Sequence, residues 1–120
     1  MKHYLTAALM ITGITCMFAS PPANDDCVNA IPLTVNSLCV FTSGTVDQAT
    51  QSAPPATCNG LTSASAFDVW YSFVAGANGQ NITVKGSGSF DASVMLLDNC
   101  GGTVVNCSDQ TGLGGTEMIV

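Results

Sequence analysis

The sequence predicts an all-β domain behind an export signal, and three observations support the β assignment. Beyond residue 20 no stretch repeats apolar residues at i, i+3, i+4 and i+7 over three turns, which leaves no amphipathic helix to assign. Short runs rich in β-branched and aromatic residues recur instead, separated by Gly, Asn, Pro and Asp. Charged residues make up only 8% of the chain, and its many Ser, Thr, Gly and Asn suit sheets whose outer faces are neutral but polar.

Taken in order, the chain opens with Lys2 and His3, an apolar run over 5–18, and a break at 19–22 (ASPP). A short cationic start, an apolar stretch of about 7–15 residues and small residues at its exit form an export signal. The run falls short of the roughly 20 apolar residues that a membrane-spanning helix needs. We therefore expect residues 1–20 to be a signal peptide, 21–26 a linker, and 27–120 the β-domain. Strands are expected at 31–35, 39–42, weakly over 44–52, and at 68–75, 80–85, 90–97, 104–107 and 116–120. The stretch 59–66 reads as a loop. Asn78-Gly79 between the fourth and fifth runs is the dipeptide of tight hairpin turns, since both central residues need positive φ. In the 90–97 run Phe90, Ala92, Val94 and Leu96 share one face and Asp91, Ser93, Met95 and Leu97 the other. Large apolar residues on both faces near its end predict a strand covered on two sides. The final run, TEMIV, is expected to be an edge without its partners, and the domain to be an N-terminal piece of a longer one.

Signal removal changes the inventory. Residues 21–120 hold one lysine, Lys85, no arginine and no histidine against eight acids, a formal charge of −7. One cation cannot neutralise a phosphate backbone, which excludes nucleic acid as a partner, and anionic membrane surfaces are excluded for the same reason. Five cysteines remain, Cys27, Cys39, Cys58, Cys100 and Cys107, and in an exported chain they are expected to form disulfides. Cys100 and Cys107 bracket a turn at 99–102 and are expected to bridge. Cys27, Cys39 and Cys58 allow three choices of pair, each leaving one over.

Five motifs in order give the chain a family resemblance: PPANDDCVNAIPL at 21–33, DVWYSF at 68–73, GSGSFD at 86–91, NCGG at 99–102 and CSD at 107–109. It resembles the bacterial pre-peptidase C-terminal-like domains found in proteins of type IX secretion. That resemblance implies a jelly-roll-like β-sandwich acting as an accessory module beside peptidases, adhesins or repeat arrays, in a secreted or cell-surface protein. It also implies further strands after the position of Glu117.

Without histidine, neither a Ser-His-Asp nor a Cys-His arrangement can be assembled inside residues 21–120, and no spacing among the acids selects a carboxylate pair. No catalytic residue is expected. Asp25, Asp26, Asp91 and Asp109, all at segment ends, are the candidate calcium ligands, calcium being the one cofactor considered. Trp70, Tyr71 and Phe73 are the candidate sugar-stacking residues, Trp70 and Tyr71 foremost, with alternation setting Tyr71 and Phe73 on one face and Trp70 on the other, against core packing of a lone tryptophan. The expected function is a non-catalytic accessory or adhesion module whose partner is a cell-surface glycan, a protein or neighbouring domains. The alternatives are an N-terminal appendage of a secreted peptidase or other hydrolase, and a carbohydrate-binding module.

Overall fold

The structure is a computed structural model that describes residues 19–53, 57–62, 67–76 and 79–120. The expected signal peptide lies almost wholly outside the described residues, as does Asn78. Eight short strands form: β1 (Ile31–Pro32), β2 (Thr57–Cys58), β3 (Leu61–Thr62), β4 (Tyr71–Ser72), β5 (Ile82–Lys85), β6 (Val94–Leu97), β7 (Val104–Ser108) and β8 (Thr116–Ile119). The helical content among the described residues is a single 3-10 turn, Cys27–Asn29. The fold is all-β, in keeping with a sandwich.

The strands pair two by two: β1 with β4 in parallel, and β2 with β3, β5 with β8 and β6 with β7 antiparallel. The turn expected at Asn78-Gly79 falls partly outside the described residues, and among those described its two arms pair elsewhere. Its first arm is taken by β1, where Ile31 N–H donates to the Trp70 carbonyl (3.0 Å) and Leu33 N–H to that of Ser72 (2.7 Å). Its second arm pairs with β8, Ile82 facing Ile119 and Lys85 facing Thr116. The Asn-Gly rule operates elsewhere, at the stretch read as a loop. Asn59 (φ 52°) and Gly60 (φ 81°) turn β2 into β3, both with the positive φ that such a turn demands. The runs at 39–42 and 44–52 form no strand. They have no ladder partner, and Leu38 and Phe41 are left 78% and 63% exposed.

The β6–β7 hairpin matches the expected turn. Asp98 N–H donates to the Thr103 carbonyl (3.1 Å), the Asp98 carboxylate accepts Thr103 N–H (2.8 Å), and Gly101 supplies φ 71°. Leu96 pairs with Asn106 and Leu97 with Val104, so Val105 is the extra residue of a bulge. The TEMIV strand is not unpaired: its residues 116–119 lie along β5 as β8.

The cysteine pairing differs from the expected turn-bracketing bridge. Cys27 bonds Cys100 and Cys58 bonds Cys107, while Cys39 is free and exposed. Register explains why. Cys100 sits in the turn, but Cys107 lies opposite Met95, three residues beyond the last pair at Val104. At roughly 3.3 Å per residue, that puts the two α-carbons about 10 Å apart, past the roughly 7 Å limit for a disulfide. The observed bridges span sequence separations of 73 and 49 residues. On a chain-entropy model such loops stabilise by about 4 kcal/mol each.

Few apolar side chains are fully enclosed: Ala49, Cys58, Ala92 and Ile119. Three polar residues are buried with them, Asn24, Ser108 and Glu117. The buried polar groups carry much of the architecture.

Candidate functional site

The N-terminal motif folds back as a clasp. Asn24, 5% exposed, donates its side-chain amide to the Trp70 carbonyl and accepts Trp70 N–H on its own carbonyl, both at 2.9 Å. Asp25 accepts Thr50 N–H (2.6 Å) and the Thr50 hydroxyl (2.8 Å), one on each carboxylate oxygen. Asp26 accepts Asn29 N–H on its backbone carbonyl (2.9 Å), opening the 3-10 turn that delivers Cys27 to its disulfide. The 21–26 stretch, expected as a linker, is thus hydrogen-bonded to the domain.

These contacts also place the calcium candidates, and do not bring the four together. Asp25 is spent on Thr50, Asp26 and Asp91 are exposed, and Asp109 lies far along the chain on the β7 end. Among the described residues no group of three or more His, Cys, Asp or Glu is placed to hold a metal ion.

Trp70 is held on its polar side as well. Its indole N–H donates to the Ser52 hydroxyl (2.6 Å) and to Asp68 (3.0 Å). Asp68 in turn accepts the Ser52 hydroxyl (2.5 Å), Ser52 N–H (3.1 Å) and Ala53 N–H (3.0 Å). An indole whose one donor is consumed internally, on a half-buried residue, packs against the fold and has no N–H to offer a sugar. Tyr71 is also half-buried, and its hydroxyl occupies the space a β-carbon at Gly44 would fill. Gly44 is required for the tyrosine's approach, and both aromatic candidates line the wide cleft between 27–53 and the later strands.

Glu117 escaped the list of candidate residues. It is 1% exposed, yet no cation faces it. One oxygen accepts the Ser108 hydroxyl (2.6 Å) and Gln110 N–H (2.9 Å), the other Thr111 N–H (2.6 Å) and the Thr111 hydroxyl (2.5 Å). Burial pushes this carboxyl up, but the Ser108 and Thr111 hydroxyls and the Gln110 and Thr111 amides outweigh it and hold it at about 2. The signal was present in the sequence: period-2 alternation puts Glu117 on the face of Ile119, inward.

An open concavity lies where the ends of β5, β6, β7 and β8 meet the segment after β4. It is a groove of about 360 Å³ lined by Phe73, Gln80, Ile82, Leu96, Asn106 and Ile119 among others. That size and an apolar lining with a few amides suit one small-molecule site. Asn106 accepts Cys107 N–H on its side-chain oxygen (2.8 Å), which leaves its NH₂ as the group to donate outward. Phe73 is half-buried and is the aromatic member of this wall. Of these residues the sequence points to Phe73 alone, in the DVWYSF run; the others escape it because the groove is made by strands far apart in the chain.

Residues 23–116 match the family model described as galactose binding domain-like, a domain associated with type IX secretion. The match runs from Ala23, inside the clasp, to the first residue of β8, and so takes in all five motifs apart from two prolines at its start. It agrees with the type IX association read from those motifs, and gives a galactose-binding-like module as the kind of domain. No curated protein and no solved structure matches the chain. No helix of the described residues is long and apolar enough to cross a membrane. On a match covering more than half its length, the chain belongs to the galactose binding domain-like family associated with type IX secretion.

Proposed function

We propose that the chain is a non-catalytic, glycan-binding accessory module of a secreted or cell-surface bacterial protein. The observation that carries this reading is the family match over 23–116 together with the groove that sets Phe73 beside the amides of Gln80 and Asn106. An aromatic face takes the apolar side of a sugar ring and amides take its hydroxyls, a pairing suited to neutral hexoses. The absence of histidine and arginine from residues 21–120 supports binding over catalysis. Two disulfides support an oxidising, extracellular setting reached through cleavage near residue 20. The resemblance to pre-peptidase C-terminal-like domains supports service beside a larger partner domain.

A glycan array with the mature chain tests this, followed by titration of a hit against Phe73→Leu and Asn106→Ala. Binding of galactose- or related hexose-terminated glycans, weakened at least about tenfold by either substitution with folding retained, is the expected result. An array with no hit on folded protein would remove the reading.

A further inference from the structure

We propose that the wider cleft into which the sugar groove opens is a strand-acceptor groove for an extended polypeptide segment, apolar at its inward positions and rich in lysine or arginine at the others. This cleft, about 2580 Å³, opens between the segment 27–53 and strands β5 and β6, and its walls include Leu33, Val46, Val84, Phe90 and Val94. It shares Phe73, Gln80, Ile82 and Leu96 with the sugar groove, but the inference is argued from its other walls and its carboxylates and does not depend on glycan binding.

Three observations converge on that occupant. The first is β6 itself. Val94 and Leu96 face one way, Met95 and Leu97 the other, the pattern of a strand covered on both sides, yet all four are only half-buried. Ile82, Thr83 and Val84 of β5 are likewise half-buried. A strand whose two faces are both apolar and both half-covered lacks a layer.

The second is backbone. In no sheet of the described residues does a strand have ladder partners on both sides. Among the described residues β5 and β6 each have a ladder partner on one side only, and such an edge is the template on which an extended segment adds as a further strand. Rigid apolar walls flanked by open edges fit a strand better than a helix.

The third is charge. Asp47, Asp91, Asp98 and Asp109 line the cleft, and Lys85 is its only cation. A second copy of this acidic chain would bring like charge to it, and a neutral glycan would leave the apolar walls unfilled. A segment alternating apolar and basic residues satisfies walls, edges and carboxylates together.

The test uses the mature chain and three ten-residue peptides, alternating Val with Lys, Val with Glu, and Ser with Lys. Affinity is read by fluorescence anisotropy at low and high salt, and amide hydrogen exchange is followed over 82–85 and 94–97. We expect the Val/Lys peptide to bind, to weaken with salt, and to protect those amides, with both controls at least about tenfold weaker. The double substitution Asp47→Lys, Asp91→Lys, at two exposed side chains, should cost the Val/Lys peptide about tenfold while the thermal midpoint holds. Equal binding of the Val/Glu peptide, failure of all three peptides on folded protein, or a self-associated chain in which 82–85 and 94–97 are already protected would each overturn the proposal.

Discussion

Asn24 and Trp70 hold each other twice, side-chain amide to carbonyl and N–H to carbonyl, each at 2.9 Å. The pair joins the turn at 23–24 to the residue just before β4, the chain's only tryptophan. It acts as an added rung of the β1–β4 ladder, because the Trp70 carbonyl also accepts Ile31 N–H. A buried amide doing this cannot be replaced by a residue lacking the donor.

Asn24→Ala should therefore destabilise the domain by about 1–3 kcal/mol, the cost of leaving buried partners unsatisfied. For a domain of about 100 residues this lowers the thermal midpoint by several degrees. Asn24→Asp should be at least as harmful, since it sets a carboxylate oxygen against a carbonyl. Trimming the mature chain to begin at Cys27 should reproduce the loss. Thermal melts of the three variants measure it, and an unchanged midpoint for the trimmed form would return 21–26 to the status of a linker.

The disulfides predict a mapping result and a thermodynamic one. Non-reducing peptide mapping should recover 27–100 and 58–107 cross-links, with Cys39 alone alkylated. Cys27→Ser, Cys100→Ser and their double variant should lose the same stability, about 4 kcal/mol, since each removes one and the same bond. Cys39→Ser should leave the urea midpoint in place. A 100–107 cross-link in the map would contradict the β6–β7 register.

What was legible in the sequence follows from range. The strands from β5 onward could be placed because alternation and turn residues are local, and the β6–β7 turn was found through Asn99-Cys100-Gly101-Gly102. Partners were not legible. Tyr71 reaches back to Ile31 and Ile82 forward to Ile119, and nothing near either residue encodes that choice. Asn59-Gly60 turns a hairpin whose arms are two residues each, too short for alternation to mark. The acids show the same division. Counting them gave an acidic surface, but only the folded register reveals that Asp25, Asp68 and Glu117 organise the backbone and that none of them is placed to hold a metal.

Trp70→Phe separates packing from recognition. Phenylalanine keeps most of the ring volume but removes the N–H that Ser52 and Asp68 accept. We expect a loss of about 1 kcal/mol, seen in chemical denaturation, with affinity for any glycan hit within about twofold of wild type. Loss of binding at unchanged stability would instead make the indole the sugar platform.

Glu117 supplies a prediction whose sign is set by its surroundings. Its carboxyl falls from 4.5 to about 2 in the folded chain, so the unfolded chain takes up the proton more readily. Folding stability contributed by this group is therefore fully present above pH 4.5, declines as pH falls, and is gone once pH passes below about 2. Glu117→Gln keeps the shape but aims an NH₂ at hydroxyls and amides that now donate, so it should be destabilised at neutral pH, chiefly by losing order in the loop that Gln110 and Thr111 begin. The difference between the two proteins isolates this one group. Urea midpoints measured from pH 6 to pH 2 should show wild type well ahead at pH 6 and the gap closing steadily below pH 4.5. A gap constant across that range would mean that the four donors do not hold a charged carboxylate.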